Sequence, residues 1–289
     1  MQIGIIGLGL LGKTIARRLL ACKYKVCGYD IKPAACKTAE ADGVRILTAA
    51  AGVADNATTL ILSLMTSDDR RRLLWGDQRM AEHLPPGSLL LDTTTAKPEN
   101  IREDTAHLAA QKVRLIDVCI SGSSQTVENQ QALALVGDTS EAAEPYAPLL
   151  EAFTKRQFYF GAPGRGNEAK LVVNTVMGLN RLVLAEALAL ARAGGFDLAE
   201  MLEVLKAGDT YSKVMDTKGG KMAAGNYEPP AARLAQHAKD VALILEYAQH
   251  LGIDMPVSCL HHELINRTVD AGAGDLDNAA IFKAYPGSR

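Results

Sequence analysis

Lys170 and Asn174 stand four residues apart, directly after the glycine-rich run Gly161-Ala-Pro-Gly-Arg-Gly166. On a helix that spacing sets both side chains on one face. A lysine so near a helix N-terminus meets the positive end of the dipole, a cost that points to use. Reduction of a carbonyl by hydride needs a proton donor for the developing alkoxide, and a partly desolvated lysine suits that exchange. Asn174 is placed to hold the same oxygen or the lysine. A surface lysine on an Ala/Leu-rich helix accounts for the spacing equally well, so the hydride source has to be sought elsewhere.

The N-terminus supplies it. An apolar run, Ile3-Gly4-Ile5-Ile6, leads into Gly7-Leu8-Gly9-Leu10-Leu11-Gly12, and Asp30 follows eighteen residues after the last glycine. Gly7 permits a tight strand-to-helix turn, Gly9 lets a pyrophosphate approach the backbone, and Gly12 lets helix and strand pack closely. The helix beginning near Leu10 then turns its free N–H groups and dipole toward the phosphates. Asp30, at the tip of the next strand, is suited to the ribose hydroxyls and repels the extra phosphate of NADP, which favours NAD. Lys32 offsets that repulsion, so NADP stays open.

Other strand ends offer polar groups where such a sheet binds its ligands. Ser63-Leu64-Met65-Thr66 and Asp92-Thr93-Thr94-Thr95 suit a nicotinamide ribose; threonines of the second also suit a cap for the helix starting near Pro98. Ser121-Gly122-Ser123-Ser124 forms either a nest for a carboxylate or an ordinary turn. Lys239-Asp240, on a later helix, reads as a solvated charged pair. The six histidines (83, 107, 237, 250, 261, 262) lack metal-ligand spacing, and His261-His262-Glu263 points to different faces of a helix, so no metal site is expected.

These residues need a scaffold, and the pattern provides one. Short apolar runs at 2–6, 25–29, 59–64, 88–92, 114–118, 132–136 and 157–160 alternate with helical segments such as 13–21 and 98–111. That alternation predicts an α/β fold, a doubly wound Rossmann sheet. Beyond residue 166 no strand is expected, and 167–194 reads as one long interdomain helix of roughly 40 Å. Helices at 198–206, 230–250 and 256–271, with a short terminal one, complete an all-α second half. The predicted domains are a cofactor-binding one at 1–162 and a helical substrate and oligomerisation one at 163–289.

At 289 residues the chain is comfortable for two domains, and a net charge of −2 leaves no basic footprint for nucleic acid or anionic membrane. Arg181 and Glu186 interrupt the most apolar helical stretch, so no membrane span is expected. The five cysteines form no C-x-x-C pair, which suits buried thiols in a reducing cytosol. Met1 leads straight into the first strand, so no targeting leader is expected and the location read is cytoplasmic.

With these residues assembled, the chain resembles the β-hydroxyacid dehydrogenase family, which includes 3-hydroxyisobutyrate dehydrogenase, tartronate semialdehyde reductase and glyoxylate/succinic semialdehyde reductases. The family's fingerprint corresponds to residues 5–12, and its Asp-Ser-Ser-Thr stretch to Asp92-Thr93-Thr94-Thr95, which makes Thr95 the implied nicotinamide-ribose contact. Its Asp-Ala-Pro-Val-Ser-Gly-Gly motif resembles Asp117-Val-Cys-Ile-Ser-Gly-Ser123, implying that Ser121, Gly122 and Ser123 anchor the substrate carboxylate. Its Gly-x-x-Gly-x-Gly-x-x-x-Lys-x-x-x-Asn motif is matched by Gly161, Gly164, Gly166, Lys170 and Asn174, which implies Lys170 as general acid/base. Its later Lys-Asp pair maps to Lys239-Asp240 and implies a cofactor contact for Lys239.

Four residues depart from the family pattern: Cys119, Ser123, Gln131 and Ala232, the last where an aromatic often closes the site. Together they imply an altered pocket and a larger substrate. The Ser-Gly-Ser-x-Gln stretch and residues 270–275 lean toward the glyoxylate/semialdehyde reductase branch. The expected activity is hydride transfer between NAD(P) and a small 3-hydroxy acid or its semialdehyde, in a homodimer or homotetramer. An imine reductase and a non-catalytic cofactor-binding module are the alternatives; Lys170 argues against both.

Overall fold

The computed structural model describes residues 1–287. Contacts divide the chain into two compact units, Met1–Lys170 and the remainder from Leu171. The first is built on an eight-stranded sheet in the order β3-β2-β1-β4-β5-β6-β7-β8. Its strands are β1 (Gln2–Ile6), β2 (Lys25–Tyr29), β3 (Arg45–Ile46), β4 (Thr59–Leu62), β5 (Leu89–Asp92), β6 (Arg114–Ser121), β7 (Leu133–Val136) and β8 (Arg156–Tyr159). All neighbours run parallel except β6 and β7.

Parallel strands covered on both faces must be apolar on both faces, and the period-two alternation divides their side chains between two cores. Ile3, Ile5, Ile61, Leu91 and Ile116 enter one core with Ile15 and Leu19 of the helix Leu10–Ala21. Ile6, Leu60, Leu62, Leu90 and Leu115 enter the other with Val53, Leu74 and Met80. Sheet order reverses at β1, with β2 on one side and β4 on the other, so the turn after β1 lies at the topological switch point.

The sequence expectation missed β3, whose two residues are too few to show a period. It also stopped β6 at Val118, whereas the strand continues to Ser121 because Cys119, Ile120 and Ser121 pair antiparallel with Leu135, Ala134 and Leu133. β4 ends at Leu62 rather than Leu64, and the first helix begins at Leu10, as expected from the glycine turn.

A buried ion network ties this unit together, and the sequence reading passed over it. Arg70 is fully buried on the helix Ser67–Trp75, which Thr66 and Asp69 close with a capping box. Its Nη1 donates to Asp92 Oδ2 at 2.6 Å, while Nε and Nη2 donate to Asp104 Oδ2 at 2.8 and 2.5 Å. Desolvation lowers the Arg70 pKa, but the two carboxylates outweigh it and the net direction is upward.

In the second unit every described element is helical. The helix Arg165–Ala193 continues into it and is followed by Leu198–Ala207, a π-turn at Met215–Gly219, Gly220–Ala224, Leu234–His250, Pro256–Thr268, a second π-turn at Val269–Ala273 and a 3-10 turn at Asn278–Ala284. Leu182, Leu184, Ala185 and Leu188 pack there against Leu234, Val241, Ile265, Ile281 and Phe282. The helix expected from Pro230 starts four residues later, at Leu234, because Arg233 forms an isolated antiparallel bridge with Asp277. Contrary to expectation, the long helix is apolar and long enough to cross a membrane, with mean hydropathy 1.4 over an 18-residue window. Burial of Leu182, Leu184 and Leu188 in the core of this unit accounts for part of that apolarity.

Replacing Arg70 by Met leaves the buried Asp92 without its ion-pair partner and Asp104 with Arg71 alone, and the protein is expected to lose ~3–5 kcal/mol of stability in urea unfolding. An unchanged midpoint would show that the network contributes little.

Candidate active site

The turn after β1 has the shape that a diphosphate requires. Gly7 adopts φ +91°, and a Cβ there would sit 2.2 Å from the Ser63 carbonyl oxygen. A Cβ on Gly12 would sit 1.9 Å from the Gly7 carbonyl oxygen, so only glycine lets the helix approach this closely. Gly9 differs: its Cβ would meet nothing within 4 Å, and it begins the helix Leu10–Ala21 with no side chain capping the N–H groups. Open space at Gly9, above N–H groups of Leu10, Leu11 and Gly12 that no side chain caps, fits the pyrophosphate of a dinucleotide.

Leu8 lies between the first two of these glycines. Its side chain is buried in the core, and its N–H donates to Asp30 Oδ2 at 2.7 Å. The other Asp30 oxygen accepts the Lys32 N–H at 2.8 Å, so the carboxylate is held at the tip of β2 and pins the turn.

Asp92 and the threonines after it join the ends of β4 and β5. Asp92 Oδ1 accepts the Thr94 N–H at 2.9 Å, Thr93 Oγ1 donates to the Leu62 carbonyl at 2.9 Å, and Thr94 Oγ1 accepts the Leu64 N–H at 3.3 Å. The capping alternative does not hold: Lys97 precedes the helix Pro98–Ala109, and no side chain caps it. Thr95 and Leu64 are partly exposed at this sheet end, and Met65 is exposed.

Asp117 organises the start of the long helix. It is fully buried on β6; Oδ1 accepts the Gly164 N–H at 2.9 Å, and Oδ2 accepts the Asn167 backbone N–H at 2.8 Å and its Nδ2 at 3.3 Å. Burial pushes the Asp117 carboxyl up from its ordinary pKa, and these donors offset part of the shift. A Cβ on Gly166 would stand 2.5 Å from the Leu135 carbonyl oxygen and 2.9 Å from Asp117 Oδ2, so glycine makes room for the carboxylate. Asn167 reaches further, its Oδ1 accepting the Ala96 N–H at 2.7 Å. One buried carboxylate thereby fixes the helix start and, through Asn167, the threonine loop. Lys170 follows within a turn of Asn167 and is 7% exposed, a buried lysine rather than a solvated one.

At the end of β6, Ser121 is partly buried and Gly122 takes φ +149°. Ser123 has a structural task that the sequence did not reveal: its Oγ accepts the Thr126 N–H at 3.3 Å and starts the helix Ser124–Glu128.

In the second unit, Asn174 is buried and its Nδ2 donates to Asp240 Oδ2 at 3.1 Å, while Lys239 Nζ lies 3.0 Å from Asp240 Oδ1. The Lys239-Asp240 pair was expected to be solvated. Its side chains are 22% and 13% exposed, because the helix Leu234–His250 turns this face toward the long helix that carries Asn174. The link from Asn174 to Asp240 spans 66 residues, beyond the reach of a spacing rule.

Two substitutions separate the roles of the glycines. Gly9→Val is expected to fold with unchanged thermal stability yet lose measurable NADH binding by fluorescence titration. Gly12→Val is expected to lose both. Asp117→Asn turns an amide donor toward backbone N–H groups and is expected to cost ~2 kcal/mol in chemical unfolding.

Comparison with known proteins identifies the family. Residues 2–161 match the family model for the NAD binding domain of 6-phosphogluconate dehydrogenase, and residues 164–285 match that for the NAD-binding region of NADP-dependent 3-hydroxyisobutyrate dehydrogenase. Glyoxylate/succinic semialdehyde reductase 1 of Arabidopsis thaliana is 27% identical, with 100% of each chain covered. L-threonate dehydrogenase of Escherichia coli (strain K12) is 27% identical over 99% of this chain and 95% of its own. The crystal structure of 3-hydroxyisobutyrate dehydrogenase from Salmonella typhimurium shares the fold at a TM-score of 0.89 and 24% identity, covering 98% of this chain and 99% of that one. The chain belongs to the β-hydroxyacid dehydrogenase family of NAD(P)-dependent oxidoreductases.

Proposed function

We propose that this enzyme interconverts a small 3-hydroxy acid and its semialdehyde, with Lys170 exchanging the proton on the substrate oxygen. The observation that carries the reading is a buried lysine on a helix whose start is fixed by Asp117 and Asn167. Bound nicotinamide supplies or accepts the hydride. Gly9, Leu10, Leu11 and Gly12 would hold the diphosphate, Asp30 a ribose, and Leu64, Met65 and Thr95 the nicotinamide side. Asp30 favours NAD. Lys239 is read as a cofactor contact whose ammonium Asp240 orients.

Ser121 and Gly122 would anchor the substrate carboxylate, with the Ser123 backbone N–H as a further donor because its hydroxyl is engaged as a cap. Asn174, held by Asp240, orients the substrate oxygen for Lys170. Lysine is the better proton donor while the alkoxide forms, and the same group accepts the proton in the oxidative direction.

A second copy of the chain is proposed to cover one face of the long helix. Val172, Val176, Val183 and Leu190 are 64%, 58%, 61% and 76% exposed. At ~100° per residue all four fall within an arc of about 40°. Such an apolar stripe suits a homodimer or a homotetramer. The five cysteines are all free thiols, which fits a reducing cytosol.

Lys170→Ala is expected to reduce kcat ~10²–10⁴-fold in NADH-oxidation assays across small aldehydes, with NADH affinity retained. Near-normal turnover would refute the proton role. Sedimentation should show a dimer or larger species, and Val176→Glu with Val183→Glu should shift it to monomer; a monomeric wild type would end that reading.

A further inference from the structure

The second unit contains a buried guanidinium that the proposed chemistry does not use. Arg181 is 5% exposed, and its Nε and Nη1 have no hydrogen-bond partner. A buried charge without a committed acceptor is costly, and native proteins retain one where a ligand or ion completes it.

The groups around it sharpen the point. The carboxylates that act on Arg181 electrostatically are Asp277 and Asp240. Asp277 is engaged elsewhere, accepting Lys218 Nζ at 2.8 and 3.0 Å and the N–H groups of Ala231 and Ala279; Asp240 accepts Asn174 Nδ2 and pairs with Lys239 through Oδ1, which makes no hydrogen bond. Arg181, Lys218 and Lys239 thus draw on the same two carboxylates, and Arg181 is the one of the three that makes no ion pair with either among the described residues. His261 adds no negative charge and no positive one. It is 1% exposed, its Nε2 has no hydrogen-bond partner, and burial with the nearby Arg181 charge lowers its pKa to about 4.

Position gives this charge a purpose. At ~100° per residue, Asn174, Gly178 and Arg181 fall within an arc of about 60° on the long helix. Helical side chains lean toward the N-terminus, so Arg181 extends along the face that carries Asn174. Between them a Cβ on Gly178 would lie 2.9 Å from His261 Cε1 and 3.0 Å from His237 Cε1, so the two imidazoles pack against bare backbone. A guanidinium, an imidazole nitrogen and Asn174 thus border one polar patch.

We propose that Arg181 is a specificity-determining residue that binds an oxyanion of a small ligand, a carboxylate or a phosphate. Resting on the hydroxy-acid reading, it further implies preference for substrates that carry a second acidic group. Guanidinium is suited to either oxyanion through its charge and the fixed directions of its N–H donors, and Lys cannot reproduce that geometry.

The test separates binding from turnover. The full-length protein is titrated calorimetrically with malonate, inorganic phosphate and acetate, beside Arg181→Met, Arg181→Lys and the exposed control Arg79→Met. Wild type and Arg79→Met should bind malonate or phosphate; which one identifies the oxyanion. Arg181→Met should bind it at least ~10-fold more weakly, and Arg181→Lys should fall between. If Arg181→Met does not fold by circular dichroism, Arg181→Lys alone decides, and wild-type affinity there overturns the proposal. So does an Arg181→Met protein that binds normally, or a wild type that binds neither anion. In turnover, Arg181→Met should raise KM for semialdehydes with two acidic groups and leave those with one unchanged; equal effects on both would overturn the specificity role. Loss of anion binding in Arg181→Met without turnover of any aldehyde would sustain the anion site and refute the hydroxy-acid reading instead.

Discussion

The carboxylate of Asp117 holds the start of the long helix in place. Helix starts leave N–H groups without partners, and those groups must find acceptors when buried. Asp117 is such an acceptor for the segment that carries Lys170, taking the N–H groups of Gly164 and Asn167. Its own burial would be prohibitive without them, and they would be stranded without it. Each side of the arrangement makes the other tolerable. Asn167 then passes the constraint to Ala96, and the Arg70 network fixes Asp92 at the other end of the same loop. The threonine loop is held at both ends.

Much of the first unit was legible from sequence because sterics leave few options. Gly7 and Gly12 sit where a Cβ would collide with backbone, and such positions show in one dimension as glycines at fixed intervals. The apolar runs likewise betray a sheet covered on both faces. What escaped notice had other causes. Arg70 lies in Ser67-Asp-Asp-Arg-Arg-Arg72, a run that reads as a solvated face, and only tertiary packing selects the arginine that is buried. The hydroxyl of Ser123 looks like a ligand donor in sequence, yet local geometry engages it as a cap.

The second unit was legible only in part. Asn174 drew notice by its spacing from Lys170, the last residue of the first unit, but its partner is Asp240, on a different helix. Arg181 read as an interruption of an apolar stretch. In the structure it faces two carboxylates that already have partners, and charge bookkeeping of that kind needs three dimensions.

The helix Arg165–Ala193 runs unbroken through the point at which the chain passes from one unit to the other, between Lys170 and Leu171. Lys170 closes the first unit, and Asn174 lies one turn into the second. Their axial offset is therefore a property of the α-helix, ~6 Å for four residues, and the pitch rather than the packing sets it. A residue replaced along this stretch leaves that offset unchanged, but a single-residue insertion would swing Asn174 by ~100° away from Lys170. Length here is as strictly constrained as residue identity, so sequences of this family should vary between residues 170 and 174 by replacement and never by insertion or deletion.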